Sequence, residues 1–532
     1  MNSENIKKWF LDNDNKLLFL LMVFTICFKL YYFLKLGSQP IWWDEGDYLA
    51  IAKVWALNQP IPEWWAHFTG MRPVLIPLIW AGMFKLGVTE IVLRFFTLLL
   101  PSIFSVYLVY AVGRDMYGKK AGLIAGLMMS VYWVFTFYSY RLLTDIPSIF
   151  LGMLCMYFFW SIYITKNKNY GLYLSAFFGI LAFSTRFPLS LVLISIAIYL
   201  LFIKKISLFK DRTIWKAGLV GLLTLSPYLI YFIYTKFYLF QFYFGEGAVS
   251  IKQAVQWNII PMLFSFLNPA KDLTSAQAPI YYSFWGFAFL LGIFAIYKLI
   301  LGFDIFFHQK DKKFNADFFL LLFLIVHLIF YIIIFRAAND RWLLMLMPPI
   351  FILSAKGTQF LYEIIKPYSK EVALFLVALL LFGGVYFNMA HTSSLISQTY
   401  GSFGEVKAGG EWVKENSEPD AKVITASIVQ NQYYSERDSY DFYVNDSGIK
   451  YCWDLNGALN VSNSFCMNET EKRFNEKIVK INPDYYIISA YERAFTPQWA
   501  YDYPQRYNLT FLQGFSDVNG NPILIIYGFN KK

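Results

Sequence analysis

The sequence predicts a polytopic α-helical membrane protein of about eleven transmembrane helices, followed by a C-terminal extracytoplasmic α/β domain. Three observations carry this expectation. The 532 residues are 57% apolar and 20% aromatic but only 15% charged, whereas soluble domains carry about 25% charged residues. Apolar runs suited to a bilayer recur as far as residue 390. Beyond residue 400 the character changes: the tail holds 13 Lys/Arg against 17 Asp/Glu, net −4, and the first 399 residues carry +14. Two domains are therefore expected, 1–399 in the membrane with a first external loop over 37–88, and 400–532 outside it.

The apolar runs lie near 17–36, 89–113, 120–139, 146–164, 171–186, 188–203, 214–235, 280–301, 318–335, 342–356 and 371–390. The first has no small-residue cleavage site behind it, so it reads as a retained helix and not a removed signal. The polar gaps alternate in charge. Those on the side of the N-terminus are richer in Lys/Arg than those on the other side. Positive charge marks the cytoplasmic face, which puts the N-terminus inside and, after eleven crossings, the tail outside. The glycosylation sequons agree. They begin at Asn445, Asn460, Asn468 and Asn508, all in the tail, and none of the twelve Asn before residue 400 forms one. The expectation is a multi-pass protein of the cell membrane. Its basic balance faces anionic lipid; no basic run has a soluble module around it, which excludes a nucleic-acid partner.

Within the first loop, "GDYLAIAKVWALNQP" and "RPVLIPLIWAGMFKLG" read as helices lying in the outer interface, the second opened by Pro73. The loop near 236–279 is similarly long and rich in aromatics. In the tail, "GEVKAGGEWVKENS" reads as an amphipathic helix, and "AKVITAS", "PDYYIISA" and "NPILIIYGF" as strands. There is no internal repeat and no glycine-rich phosphate loop, so no nucleotide-binding signature. Cys27 and Cys155 lie in apolar helices and read as small hydrophobes. Cys452 and Cys466 form a disulfide candidate, given an external tail.

The ionisable residues near the bilayer are the functional candidates. In "QPIWWDEGDYLA", Asp44, Glu45 and Asp47 follow the first span at once. They can serve chemistry, or they can cap the interfacial helix, where the helix dipole favours anions. Asp145 in "SYRLLTDIPSIF" opens the fourth span before a Pro and has the same two readings. Arg72, Arg141, Arg186 and Arg341 each lie at an outer helix end. Singly, each can snorkel to head groups; together with the carboxylates they could bind a phosphate and hold a base against an alcohol. Asp340 and Arg341 can also pair with each other. The four histidines, His67, His308, His327 and His391, show no zinc-ligand spacing. No metal site and no cofactor are assigned.

The order of these motifs resembles the GT-C glycosyltransferases, specifically the family 39 group of protein O-mannosyltransferases and bacterial aminoarabinose transferases of lipid A. In that family an acidic "DE" follows the first membrane helix, as in "WWDEGDYLA". A basic residue and Pro open the second interfacial helix, matched by Arg72–Pro73. A glycine then leads to an arginine in span two, here "GVTEIVLRFF" with Arg94. A second Asp starts span four, as Asp145 does. A Thr–basic pair ends span five, as Thr185–Arg186, and "DRWLLMLMPP" matches the start of a later span. One position departs: the aminoarabinose transferases have a phosphate-contacting Arg before "AP", and "SAQAPIYYSFW" has Gln277.

The resemblance covers roughly residues 15–390 and implies an inverting sugar transfer from a polyprenyl (dolichyl) phosphate donor to a hydroxyl on a protein, lipid or glycan acceptor at the outer face. It makes Asp44 the base, Glu45 and Asp145 further catalytic carboxylates, Arg72 the leading ligand of the donor phosphate with Arg186, Arg341 and Arg141 beside it, and Arg94 a support. Two readings compete. One is a GT-C enzyme elongating a lipid-linked glycan. The other is a polytopic lipid or sugar transporter, against which stands the crowding of charge at the outer ends with no second half repeating the first. An oligosaccharyltransferase would carry a WWDYG-type motif in its tail, which "YCWDLNG" matches poorly.

Overall fold

The computed structural model describes residues 12–57, 72–234, 278–296, 312–334, 341–444, 452, 464–491, 496–517 and 519–530. His67, Gln277, His308, Asp340, Asn445 and Asn460 lie outside the described residues. Among the described residues, each of the eleven apolar runs overlaps helical structure. In chain order α1 spans Asn13–Leu36, α2 Trp43–Leu57, α3 Leu75–Lys85, α4 Glu90–Tyr117, α5 Lys119–Val131 and α6 Trp133–Tyr138. Then come α7 over Asp145–Thr165, α8 over Asn169–Thr185, α9 over Ser190–Lys204 and α10 over Arg212–Tyr234. The remaining membrane helices are α11 (Ala278–Ala295), α12 (Lys312–Ile329), α13 (Met347–Ile365) and α14 (Lys370–Thr399). Among the described residues, seven helical stretches are long and apolar enough to cross a bilayer, with Phe284–Ala295 and Asn315–Ile329 as shorter apolar helices. This is a polytopic helical membrane protein.

Local chemistry sets the irregularities. The run expected over 120–139 breaks at Tyr132, where the backbone is extended. The Trp133 N–H, which the break releases, donates to Asn388 Oδ1 at 3.2 Å. In α4 the turn Phe95–Leu99 is a π-helix just ahead of Pro101. Proline removes one helical donor and crowds the carbonyl four residues earlier, and a widened turn relieves both.

Apolar lipid offers helices no hydrophobic reason to associate, so small residues and buried hydrogen bonds hold the bundle. A Cβ on Gly122 would stand 2.5 Å from the Tyr110 carbonyl oxygen, and one on Gly357 would stand 2.1 Å from that of Ala288. Lys29, fully buried in α1, donates to Thr136 Oγ1 at 3.0 Å and Ser139 Oγ at 3.3 Å. Asp317 accepts from the Tyr117 hydroxyl and from Lys356, both at 2.5 Å, joining three helices.

The contacts divide the chain into two compact units. One comprises described residues of 12–37, 72–79 and 86–398; the other comprises those of 38–57, 80–85 and from 399 onward. In the second unit lie α15 (Gly404–Asn416), β1 (Lys422–Thr425), α16 (Ile428–Ser435), β2 (Asp438–Tyr440), α17 (Ser464–Ile481), β3 (Tyr485–Ser489), α18 (Gln498–Arg506), β4 (Thr510–Ser516) and β5 (Pro522–Gly528). The sheet order is β2-β1-β3-β5-β4, with β1 parallel to β2 and β3, and β5 antiparallel to β3 and β4. The expected helix and three strands are α15, β1, β3 and β5. β2 has only three residues and β4, "TFLQGFS", lies largely exposed at the sheet edge, so neither gives an alternating pattern. Cys452 and Cys466 are disulfide-bonded, with Cα atoms 5.4 Å apart. They sit in an aromatic core with Phe442, Phe474, Tyr486 and Trp499.

Candidate active site

In the first unit, three helix ends present the predicted charges. Asp145 is the first residue of α7 and is 2% exposed. Arg186 follows α8 in extended backbone, because Pro188 is already in the first turn of the next helical segment and the chain must break before it. The Arg186 Nη1 donates to Asp145 Oδ1, and the two side chains are 17% and 2% exposed. Arg341 precedes the 3-10 turn Trp342–Leu346. That turn meets α7 at Gly152, where a Cβ would lie 2.9 Å from Leu189 and 3.1 Å from Met345. So the elements carrying Asp145, Arg186 and Arg341 converge on one small residue. The Tyr331 hydroxyl donates to the Trp342 carbonyl at 2.8 Å and ties in the helical segment that continues α12.

The other predicted cations each have their own surroundings. Arg141 is buried, its guanidinium 5.5 Å from the centre of the Phe137 ring. Arg72 is half-buried just ahead of Pro73 and α3. Arg94 is fully buried and donates to the carbonyls of Leu36 at 3.0 Å and Gly37 at 3.3 Å. A cation on the last carbonyls of a helix satisfies orphan acceptors and suits the negative end of the dipole. Arg94 thereby caps the end of α1, and six residues separate that end from the acidic helix.

Asp44, Glu45 and Asp47 belong to the second unit, in the first turns of α2. Their burial separates them. Glu45 is fully buried, Asp47 is 4% exposed and Asp44 is partly exposed. Glu45 Oε2 accepts the Trp42 N–H at 2.8 Å, the backward-reaching half of a capping box. The helix start is therefore closed by Glu45. At the far end of α2, Lys53 Nζ pairs with Glu436 Oε1 at 3.3 Å, and Lys414 reaches the same carboxylate at 2.9 Å. Burial opposes the charge on Glu436, but Lys414 and Lys53 together hold its carboxyl below the ordinary glutamate range.

The sequence missed two things here. Lys29 had a signal, a lone cation inside an apolar run. Glu436 had none, because its pairing with Lys53 of α2 spans 383 residues. Among the described residues, no group of three His, Cys, Asp or Glu side chains could hold a metal ion.

Comparison with known proteins agrees with this architecture. The profile of the dolichyl-phosphate-mannose-protein mannosyltransferase family matches residues 71–231. No curated protein sequence matches the chain. Among solved structures, apo ArnT from Cupriavidus metallidurans superposes with a TM-score of 0.62 at 10% identity, over 95% of this chain and 97% of that one. A second ArnT structure contains undecaprenyl phosphate. The oligosaccharyltransferase AglB from Archaeoglobus fulgidus, in complex with an inhibitory peptide and a dolichol-phosphate, matches with a TM-score of 0.55 at 13% identity, over 97% of this chain and 74% of that one. The mycobacterial arabinofuranosyltransferase AftD matches with a TM-score of 0.53 at 12% identity, over 96% and 40%. The chain thus shares the fold of these membrane glycosyltransferases, and its residues 71–231 resemble the dolichyl-phosphate-mannose-protein mannosyltransferase family.

Proposed function

We propose that this protein transfers a sugar from a polyprenyl-phosphate donor to a hydroxyl acceptor, with inversion, at the outer face of the cell membrane. Asp44 is the base. It takes the proton of the acceptor hydroxyl as the oxygen attacks the anomeric carbon, and the bond from that carbon to the phosphate breaks on the opposite side. The lipid phosphate leaves as an anion, and fixed guanidinium groups stabilise the charge as it develops. Arg72 is the leading ligand of that phosphate, with Arg186, Arg341 and Arg141 in support. A guanidinium has five N–H donors, so the contact of Arg186 with Asp145 orients it while leaving donors for phosphate oxygens.

The observation that carries this reading is the division of labour at the start of α2. Glu45 makes the capping contact and is fully buried, whereas Asp44 beside it stays partly exposed. Capping gives Glu45 a structural task, and the partial exposure of Asp44 keeps its carboxylate within reach of an acceptor. The lipid phosphates named with the ArnT and AglB structures support a donor of that class. A donor delivered within the bilayer also explains a glycosyltransferase without a nucleotide-binding loop.

The test is Asp44→Asn in the purified full-length protein, incubated with a panel of polyprenyl- and dolichyl-phosphate sugars, with product mass as the readout. The variant should fold and insert as wild type does and form no product, whereas Arg72→Ala should lose about a hundredfold or more in rate. Unchanged turnover in Asp44→Asn removes Asp44 from the mechanism.

A further inference from the structure

The helix that carries Asp44 is held at three points by one short helix of the C-terminal domain. At its start, the Ile41 N–H donates to the Tyr434 hydroxyl at 3.0 Å. At its far end, Lys53 Nζ donates to the Tyr433 carbonyl at 3.1 Å, pairs with Glu436 and lies 4.0 Å from the centre of the Tyr433 ring. Between them Gly46 passes so close to Val429 that a Cβ on the glycine would stand 2.5 Å from Val429 Cγ1. The segment ahead of α2 is tied as well: Trp42 Nε1 donates to Ser402 Oγ at 3.1 Å, and Gln39 Nε2 to the Thr399 carbonyl at 2.9 Å.

The holding helix, α16, is itself rigidly set. Val429 is 2% exposed, and Asn431 Nδ2 donates to Ser439 Oγ at 2.9 Å. Arg437, just past its end, donates to the carbonyls of Lys414 at 3.1 Å and Ser417 at 2.8 Å. Glycine is a poor residue for a helix interior, so Gly46 works against the local propensity of α2. What it permits is the close approach to Val429, two residues from Asp44.

We propose that Val429, Tyr434 and Glu436 are positioning residues for the transfer reaction: α16 sets where Asp44 stands, which makes the C-terminal domain part of the catalytic apparatus. This rests on the reading of Asp44 as the base. A base acts only within hydrogen-bond reach of the proton it removes, and displacement by about 1 Å from a distant change can lose a hundredfold in rate. α16 can produce such a displacement through the Gly46 contact without touching donor or acceptor.

The experiment is a steric suppression in the full-length enzyme, using the lipid-phosphate sugar that wild type consumes. Alanine favours the helix more than glycine does, so Gly46→Ala hurts only by pushing against Val429. It should lower kcat about tenfold to a hundredfold with donor KM within about twofold, and speed amide exchange across residues 43–57. Adding Val429→Ala should restore kcat to within about threefold and restore the protection. Tyr434→Phe, which removes the acceptor of the Ile41 N–H and keeps the ring, should lower kcat with KM and thermal stability near wild type; it serves if Gly46→Ala does not fold. Wild-type kcat in both single variants, or a Gly46→Ala defect that Val429→Ala does not relieve, overturns the proposal. The function itself fails differently: Asp44→Asn then turns over like wild type, while the exchange pattern across 43–57 still answers to Gly46 and Val429.

Discussion

Asp145 and Arg186 show what a single charged residue means in this protein. Each begins or ends a helix in an apolar sequence, and each had a bland reading, as a cap or as an arginine reaching for head groups. The structure pairs them, with Asp145 almost wholly buried. Removing one partner of a buried pair leaves the other charge without compensation and costs about 3–5 kcal/mol, whereas replacing both by apolar groups of similar size is close to neutral. Asp145→Asn should therefore lower the melting temperature of the solubilised protein markedly, and Asp145→Asn combined with Arg186→Met should recover most of it. Sugar transfer should not recover, because the guanidinium is gone. A double variant as unstable as the single one would show that the stranded Arg186 charge is not what destabilises the single variant. The charges themselves were legible in the sequence, since an ionisable group beside a bilayer is expensive enough to need a reason. Their partners were not. Nothing in "WWDEGDYLA" says that Glu45 turns back to the Trp42 N–H and that Asp44 does not carry that task. The choice depends on which rotamer the surroundings accept.

At the scale of elements, hydropathy located the helices because lipid leaves the backbone no other way to satisfy its polar groups. It did not locate how they touch. Gly292 and Gly357 look like incidental residues in apolar helices, yet a Cβ on either would lie 2.1 Å from a backbone oxygen of the facing helix, Leu353 for the first and Ala288 for the second. Trp285 likewise lies over Gly384, where a Cβ would stand 2.0 Å from the indole nitrogen. So α11 rests against both α13 and α14 through positions that tolerate only hydrogen. Gly82 in α3 has open space instead. The two kinds of glycine respond oppositely to the same change. Gly357→Ala should destabilise by about 1–3 kcal/mol through overpacking, and Gly82→Ala should be neutral or stabilise by up to about 1 kcal/mol through helix propensity. Thermal melts of the two single variants check this. Equal effects would mean that α11 and α13 do not cross at these residues. The tail repeats the lesson. Strands buried on one or both faces announced themselves, whereas β4 and the three-residue β2 owe their existence to neighbours already in place.

For the whole molecule, the deciding quantity is which side each unit faces. The excess of Lys/Arg in the gaps on the side of the N-terminus argues for the proposed orientation, because cytoplasmic loops retain positive charge. The C-terminal domain supplies an independent argument. Its disulfide requires an oxidising compartment. Its sequon residues Asn468 and Asn508 are exposed, as a glycan acceptor must be. The proposed chemistry needs the same side, since the acidic helix α2 belongs to the unit that contains this domain. A cysteine placed at the exposed Glu418 should react with a membrane-impermeant maleimide on intact cells, and one at the exposed Lys210, in a basic gap, should react only after lysis. The reverse pattern would turn the protein over in the bilayer, place Asp44 among nucleotide-linked sugars for which the chain has no binding loop, and so remove the outer-face transfer reaction altogether.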